Sequence, residues 1–587
     1  MKTNVAYVIL NAQIPQKPPL WWKQFSVVIA PSTLQDHIER CGCVWKNLND
    51  FVEPGSVHEA SEFAEELSRT LLRDGTSVVK SDLYKGYELW WIHYSHIFLH
   101  FCLPYTQYKK LLAYLTGFTH VYTSESPYND LFRLYVTAHA GSFTIVHTRT
   151  FLSRMRLPYG VLMQMILTCV SLPILLLRRS SVLVFTGDKF EPGKDYDARM
   201  KCIYEALRQR KMRFVECIRS LESAKKVFQH ALYRRRPVLY SEALALFGMW
   251  VSFVVGDHTR SMNRYAPNQS ARTVNPIARF KINIATHYLR FAGDDIWGIR
   301  INTFILRLIG VRAASITAAN DRNFQTVLGC KISGIPTVGI LPGAASRYYN
   351  MNDFMPAFTG EKMLSADRYG LWSAWWKEYY LKYSRAYRED QLYVSGPMRP
   401  VSQKNIPTAD TDTHKGRQRV LLVSEIVAEP LEVMPYLDAL LTANEFSVHI
   451  KFRPVGDSFE AWLTLHRPDV LETIGSAGIL KGKMDDAIAQ TDIAVGSQST
   501  GVIEAVLQNK PFVFFNTQKW GDYYSLRSVS ATYTLFAETP EAFIACVRNA
   551  KDIPEHVFRD LREKFFGDPS RNGSEWVVDQ LELLRKR

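Results

Sequence analysis

The sequence has few cysteines, and their spacing does not indicate a zinc site. Only 8 of the 587 residues are cysteine, and among these only Cys41 and Cys43 lie close together. Structural zinc is usually held by two close pairs of Cys or His ligands, so the cysteines predict no metal site. Scattered cysteines of this kind favour reduced thiols in the cytoplasm.

Two further signals are missing from the sequence. No signal peptide opens the chain, because the apolar run Val5–Leu10 has the length of a strand and no suitable cleavage site accompanies it. No aromatic and basic signature of an RNA-binding module occurs, and the basic residues are spread along the chain. We therefore expect a cytoplasmic location and no nucleic-acid partner.

The composition that is present is that of a globular protein with a basic excess. A hydrophobic content of 47% with 22% charged residues is ordinary, and 587 residues are too many for one core, so two or more domains are expected. The formal net charge of +14 indicates an acidic partner. Nucleic acid, an anionic lipid and a phosphorylated substrate all fit this charge, and charge alone does not choose among them.

The stretch Asp492–Thr517 carries the clearest local pattern of the chain. Asp492–Val495 is typical of a buried strand, Gly496–Gly501 of a small polar turn, Val502–Leu507 of a helix, and Phe512–Phe515 of a second buried strand. This order predicts a strand, turn, helix and strand unit of an α/β domain.

The polar turn predicts a phosphate site. Small residues at the head of a helix expose unpaired backbone N–H groups, and the hydroxyls of Ser497, Ser499 and Thr500 beside Gly501 add donors. Glu504, one turn into the helix, is placed to accept hydrogen bonds from a ribose or a sugar. The alternative is that Ser499 or Thr500 only caps the helix and that Glu504 only favours its first turn.

A polar linker divides the chain into two predicted domains. Residues 401–417 contain few apolar side chains and separate a first domain, 1–400, from a second, 418–587. In the first domain, strands at Thr119–Thr123 and Phe143–His147 flank a helix. This alternation predicts a parallel sheet.

The strongest membrane signal is the apolar run Leu157–Leu177, inside a segment 154–179 that has arginines at both ends. About 20 apolar residues suffice to cross a bilayer. The buried strand predicted at Ser181–Phe185 argues against a crossing, because it would put strands of one sheet on opposite sides of the membrane. We expect a helix in the membrane interface with its arginines on anionic headgroups, and the alternative is a helix buried inside the first domain.

The basic residues that follow allow two interpretations. Lys225, Lys226 and the run Arg234–Arg236 either extend a membrane-facing patch or form an ordinary solvated face.

Candidate acids and a cleft loop lie in the second half of the predicted first domain. Asp294 and Asp295 are adjacent acids in a predicted loop, and Asp321 follows a predicted strand. Pro342 and Gly343 come directly after another strand, where α/β domains bind ligands.

A pair of histidines lies earlier in the chain. His96 and His100 are four residues apart and would share a helix face that suits a metal. Without a nearby Cys or paired acid, packing against the core is the preferred interpretation, and we predict no metal.

Several short motifs resemble those of one enzyme family. Asp492–Val495, Ser499-Thr500, Glu504-Ala505 and Lys510-Pro511 are similar to motifs of the GT-B glycosyltransferases that build bacterial surface polysaccharide. That group includes capsule transferases and the CDP-glycerol glycerophosphotransferases of teichoic acid synthesis. Lys451–Pro454 stands at the place of the family's Lys-x-His-Pro. The resemblance covers roughly residues 310–587.

The resemblance implies a fold, an activity and partners. The fold is α/β, with two Rossmann-like domains facing a central cleft (GT-B type). The activity is transfer of a sugar from a nucleotide-sugar to a hydroxyl of a lipid-linked or oligosaccharide precursor of capsule or lipopolysaccharide. No cofactor and no obligatory metal are implied, and the place is the inner face of the cell membrane. Lys451 and Arg453 would bind the donor together with the turn residues and Glu504.

The chain also departs from the family, and the departures keep alternatives open. Arg453 stands where the family often has His, and Pro342 precedes Gly343 where it often has His-Gly. Arginine can hold a diphosphate, but proline cannot act as a base, so Asp294, Asp295 and Asp321 become the candidate bases. A polyol-phosphate transferase and a non-catalytic assembly component remain alternatives, and a nucleotide-sugar epimerase fits less well.

Overall fold

The computed structural model describes most of the chain. The described residues are 4–10, 25–53, 57–72, 74–81, 83–146, 151–187, 195–197, 200–265, 275–316, 324–344, 354, 365–399, 417–425, 428–453, 457–497, 499–517, 521–522, 524, 526–528 and 533–586, with the backbone alone for 33 and 151–158.

The strands follow the short apolar runs of the sequence. They are β1 (Val5–Val8), β2 (Val27–Ala30), β3 (Trp45–Asn47), β4 (Leu83–Tyr84), β5 (Tyr87–Glu88), β6 (His120–Ser124), β7 (Ser142–Val146), β8 (Val182–Thr186), β9 (Val215–Ile218), β10 (Val238–Tyr240), β11 (Ala313–Ile316), β12 (Thr337–Ile340), β13 (Arg368–Leu371), β14 (Leu392–Val394), β15 (Gln418–Val423), β16 (Phe446–Lys451), β17 (Ile493–Gly496), β18 (Phe512–Phe515) and β19 (Phe536–Ala537). Apart from the β4–β5 hairpin, they form three parallel sheets. Parallel sheets are buried on both faces, which explains the nearly continuous apolar runs.

The α-helices connect these strands and cover the sheets. They are α1 (Gln35–Arg40), α2 (Val57–Arg69), α3 (Val78–Ser81), α4 (Tyr94–Ile97), α5 (Leu103–Gln107), α6 (Lys109–Leu115), α7 (Asn129–Ala138), α8 (Phe151–Arg178), α9 (Lys201–Gln209), α10 (Ala224–Arg234), α11 (Ser241–Val255), α12 (Asp257–Arg264), α13 (Pro276–Ala285), α14 (Ala292–Leu308), α15 (Phe324–Ile332), α16 (Ala374–Tyr383), α17 (Pro430–Thr442), α18 (Ser458–His466), α19 (Pro468–Gly478), α20 (Met484–Ala489), α21 (Thr500–Ile503), α22 (Pro540–Asn549), α23 (Glu555–Phe566) and α24 (Gly573–Arg585).

In each sheet the chain first adds strands on one side of the starting strand and then on the other, so each sheet has one topological switch point. The spatial orders are β3-β2-β1-β6-β7, then β10-β9-β8-β11-β12-β13-β14, then β16-β15-β17-β18-β19. The second order is that of a dinucleotide-binding sheet with one added strand, and the third is that of a flavodoxin-like sheet. Ligands of such sheets bind outside the carboxyl ends of the strands at the switch point. The switch points here are β1/β6, β8/β11 and β15/β17.

The last helix of the chain links the second and third sheets. The last helix, α24, follows the third sheet but packs against α9, β11 and β12 of the second. Its Val577, Val578 and Leu581 are fully buried in one core with Val338 and Ile340. The predicted α/β class with two Rossmann-like domains is confirmed.

A further parallel sheet precedes these two domains. The predicted strands around α7 are confirmed as β6 and β7, with ends shifted by about one residue. The range 1–400, predicted as one domain, therefore holds two separate sheets. The predicted linker 401–417 lies outside the described residues except for Arg417.

The apolar segment forms the long helix α8. It is the one helix of the described residues that is long and apolar enough to cross a membrane, by length and composition alone. Only 28% of its most apolar stretch is buried, so α8 is not a helix of the protein core. Strand β8 begins four residues after α8 ends, as expected from the sequence.

Most of the basic run Arg234–Arg236 does not face solvent. Arg234 is buried, and Arg236 donates from Nε to Glu216 Oε2 at 2.7 Å and from Nη1 to Asp195 Oδ2 at 2.8 Å. Only Arg235 of the three is exposed. Of this run, only Arg235 can belong to a basic surface patch, because Arg234 and Arg236 lie beside acids beneath the surface.

Candidate functional site

The candidate site lies at the β15/β17 switch point of the third sheet. Ser424 and Glu425 follow β15, and Ser497 follows β17, so the three meet at the carboxyl edge. The Ser497 hydroxyl hydrogen-bonds to a carboxylate oxygen of Glu425 across the crevice. The fold thus places the predicted Ser497 where this class of sheet binds ligands.

The helix that follows the polar turn is shorter than predicted. Its α-helical part, α21, spans four residues and continues as a 3-10 helix from Glu504 to Gln508. The aligned peptide dipoles therefore extend over one turn, and their field at the turn is correspondingly small. Ser499 is the N-cap, since its hydroxyl accepts from the Gly501 N–H at 3.3 Å. Ser499 therefore caps the helix, and its assignment to the donor site stays a prediction.

The glycine of the turn packs closely against a neighbouring methionine. A Cβ on Gly501 would lie 2.7 Å from Cε of Met484, at the start of α20. Gly501 therefore lets the head of α21 approach a neighbouring helix.

Two cations stand at the carboxyl end of the neighbouring strand β16. Lys451, its last residue, is only 6% exposed, and Arg453 is half-buried. No ion pair from either side chain to a described carboxylate occurs. A buried cation is stable when a counter-charge is near, so this pair favours an anionic ligand.

Asp457 fixes the backbone around these cations. Its Oδ2 accepts from the Arg453 N–H at 2.8 Å, and its Oδ1 accepts from the Ser424 hydroxyl at 3.0 Å. The same Oδ1 accepts from the Glu460 N–H, which caps α18. One carboxylate therefore ties the ends of β15 and β16 to a helix and holds the crevice in shape.

Glu504 is half-buried beside charges from both domains. Its pKa is raised to about 7, chiefly by burial and also by the charge of Asp485, while Arg399 opposes the rise. Arg399 follows β14 of the second sheet, so its charge acts across the two domains. A carboxyl group that titrates near neutrality can accept or donate a hydrogen bond at a ligand hydroxyl.

The predicted cleft loop faces the turn of the other domain. The Ala344 N–H, next to Gly343, donates to the Thr500 hydroxyl at 3.0 Å. A Cβ on Gly343 would lie 3.6 Å from that hydroxyl, and Pro342 is exposed. The carboxyl ends of β12 and β17 therefore face each other, which is the central cleft expected of the fold.

Asp294 and Asp295 do not lie in a loop, as predicted, but in the first turn of α14. Acids are favoured there because they interact with the positive end of the helix. His258 Nδ1 lies 3.0 Å from Asp294 Oδ2, and His93 Nε2 lies 2.7 Å from Asp295 Oδ2. Gln325, at the start of α15, also donates to Asp295.

The acids are bonded to elements other than those that carry the cations of the third sheet. Because α15 begins after the carboxyl end of β11, the bond from Gln325 places Asp295 near the carboxyl edge of the second sheet. No hydrogen bond joins Asp294 or Asp295 to the Lys451 and Arg453 region in the described part of the chain. Asp321 lies outside the described residues.

The rings of the predicted histidine pair, His96 and His100, stack on each other. The His96 and His100 rings are 5.8 Å apart at an angle of 9°, and burial lowers the pKa of His100. Within the described ranges, no group of three or more His, Cys, Asp or Glu is placed to hold a metal ion.

Lys510 of the Lys-Pro motif hydrogen-bonds to backbone carbonyls at the end of a neighbouring helix. Its Nζ donates to the carbonyls of Ile488 and Ala489 at 2.8 Å each, and it also contacts the Thr491 carbonyl. These carbonyls end helix α20, where they have no partner within the helix. Burial lowers the pKa of Lys510 to about 8.

Replacing Lys510 by methionine is expected to lower the free energy of unfolding by about 2–3 kcal/mol, because buried carbonyls lose a charged donor. Denaturant unfolding of the intact chain measures this loss. Lys551→Met is the matched control, since Lys551 is exposed and its change should stay within about 0.5 kcal/mol. Equal stability of both variants would show that the Lys510 bonds contribute nothing.

Three residues of the site escaped the sequence analysis. Glu425 follows β15 as Ser497 follows β17, so the same strand-end rule points to it. Asp457 has the Asp-x-x-Glu pattern of a capping box. Arg399 carries no local signal, because its relation to Glu504 depends on how the two domains meet.

Comparison with known proteins gives only a distant likeness. No protein-family model and no curated protein matches this chain. Among solved structures, a glycosyltransferase from Rickettsia africae ESF-5 aligns over 69% of this chain and 98% of its own, with 12% identity and a TM-score of 0.39. A UDP-GlcNAc 2-epimerase from Neisseria meningitidis bound to UDP-GlcNAc covers 68% and 99%, with 14% identity and a TM-score of 0.39.

A third similar structure is MurG from Acinetobacter baumannii, which aligns over 70% of this chain and 100% of its own, with 10% identity and a TM-score of 0.37. Scores of this size carry no inference about activity. The fold is established by the strand orders described above, and the chain is an α/β protein with two Rossmann-like domains that face each other across a cleft.

Proposed function

We propose that the protein is a glycosyltransferase of GT-B type. It moves a sugar from a nucleotide-activated donor to a hydroxyl of a lipid-linked or oligosaccharide precursor of bacterial surface polysaccharide. It needs no metal or cofactor for this step, and it acts at the inner face of the cell membrane. The observation that carries the proposal is the pair Lys451 and Arg453, two cations without a described carboxylate partner beside a switch-point crevice.

The charges of the site fit a nucleotide diphosphate as the leaving group. When the bond from sugar to phosphate breaks, negative charge grows on the diphosphate, and fixed cations stabilise that charge. Arg453 offers a planar pair of donors and Lys451 a point charge. Glu425 and Glu504 present carboxyl groups at the same edge, where they suit the hydroxyls of a ribose or a sugar.

The acceptor hydroxyl must lose a proton in the same step. The candidate bases are Asp294, Asp295 and Asp321. Asp294 and Asp295 are each paired with a histidine, and an imidazole can relay the proton that a carboxylate orients. We assign the acceptor to the cleft side formed by the second sheet.

The test is nucleotide binding by the purified protein. Thermal shift is measured with UDP-, CDP-, GDP-, CMP- and dTDP-linked donors, because binding to the native state alone raises the melting temperature. One nucleotide class is expected to raise it. Arg453→Gln should weaken that binding about 10-fold or more, since a charge-assisted hydrogen bond is lost.

The matched control is Arg548→Gln, which removes an arginine paired with Glu445 on the surface of the same domain. It should bind the nucleotide as the parent protein does. A shift with CDP-polyols alone would assign the polyol-phosphate reaction instead. No shift with any donor, with or without vesicles, would overturn the proposal and favour a non-catalytic assembly component.

A further inference from the structure

The buried face of helix α8 includes a row of polar side chains. Gln164, Thr168 and Ser171 are all buried and lie on one side of the helix. The Thr168 hydroxyl accepts from the Tyr240 N–H at 3.2 Å, and the Ser171 hydroxyl accepts from the Val238 N–H at 3.1 Å. These donors belong to β10, the edge strand of the second sheet. The polar side chains of α8 therefore satisfy the open edge of the sheet.

The opposite face of α8 is an apolar stripe open to solvent. Its members are spaced three or four residues apart along the whole described length and are 38–87% exposed: Tyr159, Leu162, Ile166, Val170, Ile174 and Leu177. A surface helix of a globular protein normally has the reverse arrangement, with its apolar face on the core. The packing of α8 thus leaves a continuous apolar face without a partner among the described residues.

The two neighbouring helices continue this apolar surface. On α10, Phe228, Leu232 and Tyr233 are exposed. On α11, Trp250 and Phe253 are 66% and 67% exposed. Helix α8 packs against both neighbours: Met163 packs on the core cluster that holds Val227 of α10, and Leu172 packs on the cluster that holds Leu244 of α11. We call the exposed apolar residues of α8, α10 and α11 the three-helix surface.

Positive charge borders the three-helix surface. Arg178, Arg179, Lys225 and Arg235 are exposed at the ends of α8 and α10. The acid Glu222 is paired with Lys226 at 2.9 Å, so the exposed excess is basic. Apolar helices with basic flanks bind bilayers that contain anionic lipids.

We propose that the three-helix surface docks flat on a bilayer of anionic phospholipid. A span across the bilayer is incompatible with the packing, because the polar face of α8 is bonded to β10. The proposal deepens the membrane location in the proposed function, but it does not depend on the donor site.

Docking in this way orients the cleft. The contacts of Gln164 with Ser220, Thr168 with Tyr240 and Ser171 with Val238 show that α8 runs antiparallel to β10. With α8 flat on the bilayer, the strands of the second sheet also run along the membrane. Their carboxyl edge then opens sideways over the headgroups, where a lipid-linked acceptor can reach it.

The test is vesicle flotation with the purified full chain. Phosphatidylcholine vesicles are compared with vesicles that also contain phosphatidylglycerol, and the parent protein is expected to float with the anionic vesicles only. Trp250→Ser with Phe253→Ser should reduce the bound fraction at least 10-fold, and Ile166→Gln with Val170→Gln should act in the same direction. Because all four side chains are exposed, the melting temperature should not fall.

Leu465→Ser is the matched control, since Leu465 is an exposed leucine on α18 of the other domain. It should float as the parent does. Nucleotide binding in solution should be equal in all variants, which separates this test from that of the proposed function. The proposal is overturned if the parent does not float, if the double variants float equally well, or if the parent is a dimer that Ile166→Gln with Val170→Gln separates.

Discussion

Replacing Glu216 by alanine is expected to lower the free energy of unfolding by about 3–5 kcal/mol, because it removes the buried carboxylate that Arg234 and Arg236 share. Glu216 is fully buried on β9. It accepts from Arg236 at 2.7 Å, lies 3.9 Å from Arg234 and also hydrogen-bonds to the Tyr204 hydroxyl. Denaturant unfolding of the intact chain measures the loss.

Glu222→Ala is the control for this experiment. Glu222 forms a surface pair with Lys226, four residues along, and such pairs contribute about 0.3–0.5 kcal/mol. A loss below about 1 kcal/mol for Glu216→Ala would show that the arginines turn to solvent and that the network is not held by the fold.

Nucleotide binding is expected to strengthen about 10-fold between pH 6 and pH 8, through ionisation of Glu504. Its pKa is raised to about 7 by burial and by Asp485, against the effect of Arg399. The ionised fraction of a group with this pKa rises from about a tenth to about nine tenths over that range. A carboxylate accepts from a donor hydroxyl without first losing a proton, so binding follows ionisation.

Glu504→Gln should abolish this pH dependence, and Glu504→Ala should remove turnover while leaving the fold intact. Isothermal titration with the nucleotide found by thermal shift measures the first effect. Glu445→Gln, a surface variant of the same domain, is expected to keep the parent pH profile. An unchanged profile in Glu504→Gln would refute the assignment of Glu504 to the donor site.

The same raised pKa affects stability. The folded state holds a proton that the unfolded chain releases, so the stability contributed by protonated Glu504 is lost as pH rises from 4.5 through about 7. Glu504→Gln is therefore expected to be more stable than the parent at pH 8, by up to about 3 kcal/mol, and equal to it at pH 4. Thermal unfolding at the two pH values measures the difference.

Local patterns predicted the elements around the cleft well. Asp492–Thr517 forms the expected strand, turn and strand, because apolar runs and small polar residues act over a few positions. The helix between the strands was predicted correctly in place but not in type, since Asn509 adopts a left-handed conformation that ends a 3-10 turn. The sequence of the turn suggested phosphate binding. It could not show whether Ser499 and Gly501 serve to cap and pack the helix or to bind a ligand.

The helical position of the adjacent acids could have been predicted from the sequence. Asp294 and Asp295 stand in the first turn of a helix, where acids are favoured, and the apolar residues that follow continue that helix. Their histidine partners lie 36 and 202 residues away in the chain. No local pattern connects such groups, because His258 meets Asp294 through the packing of α12 on α14, and His93 reaches Asp295 from the part of the chain that forms the first sheet.

By itself, the sequence determined the α/β class, most strands, the existence of α8 and the motifs at the carboxyl edge of the third sheet, because these depend on spacing within one element. The tertiary structure alone decided which side chains face the interior and which face solvent. Arg234 and Arg236 turn inward because Glu216 lies on the neighbouring strand, and α8 turns its apolar stripe outward because β10 needs its hydroxyls. Both outcomes follow from pairing buried polar groups that are distant in the chain, and this requirement is met only when the whole fold is formed.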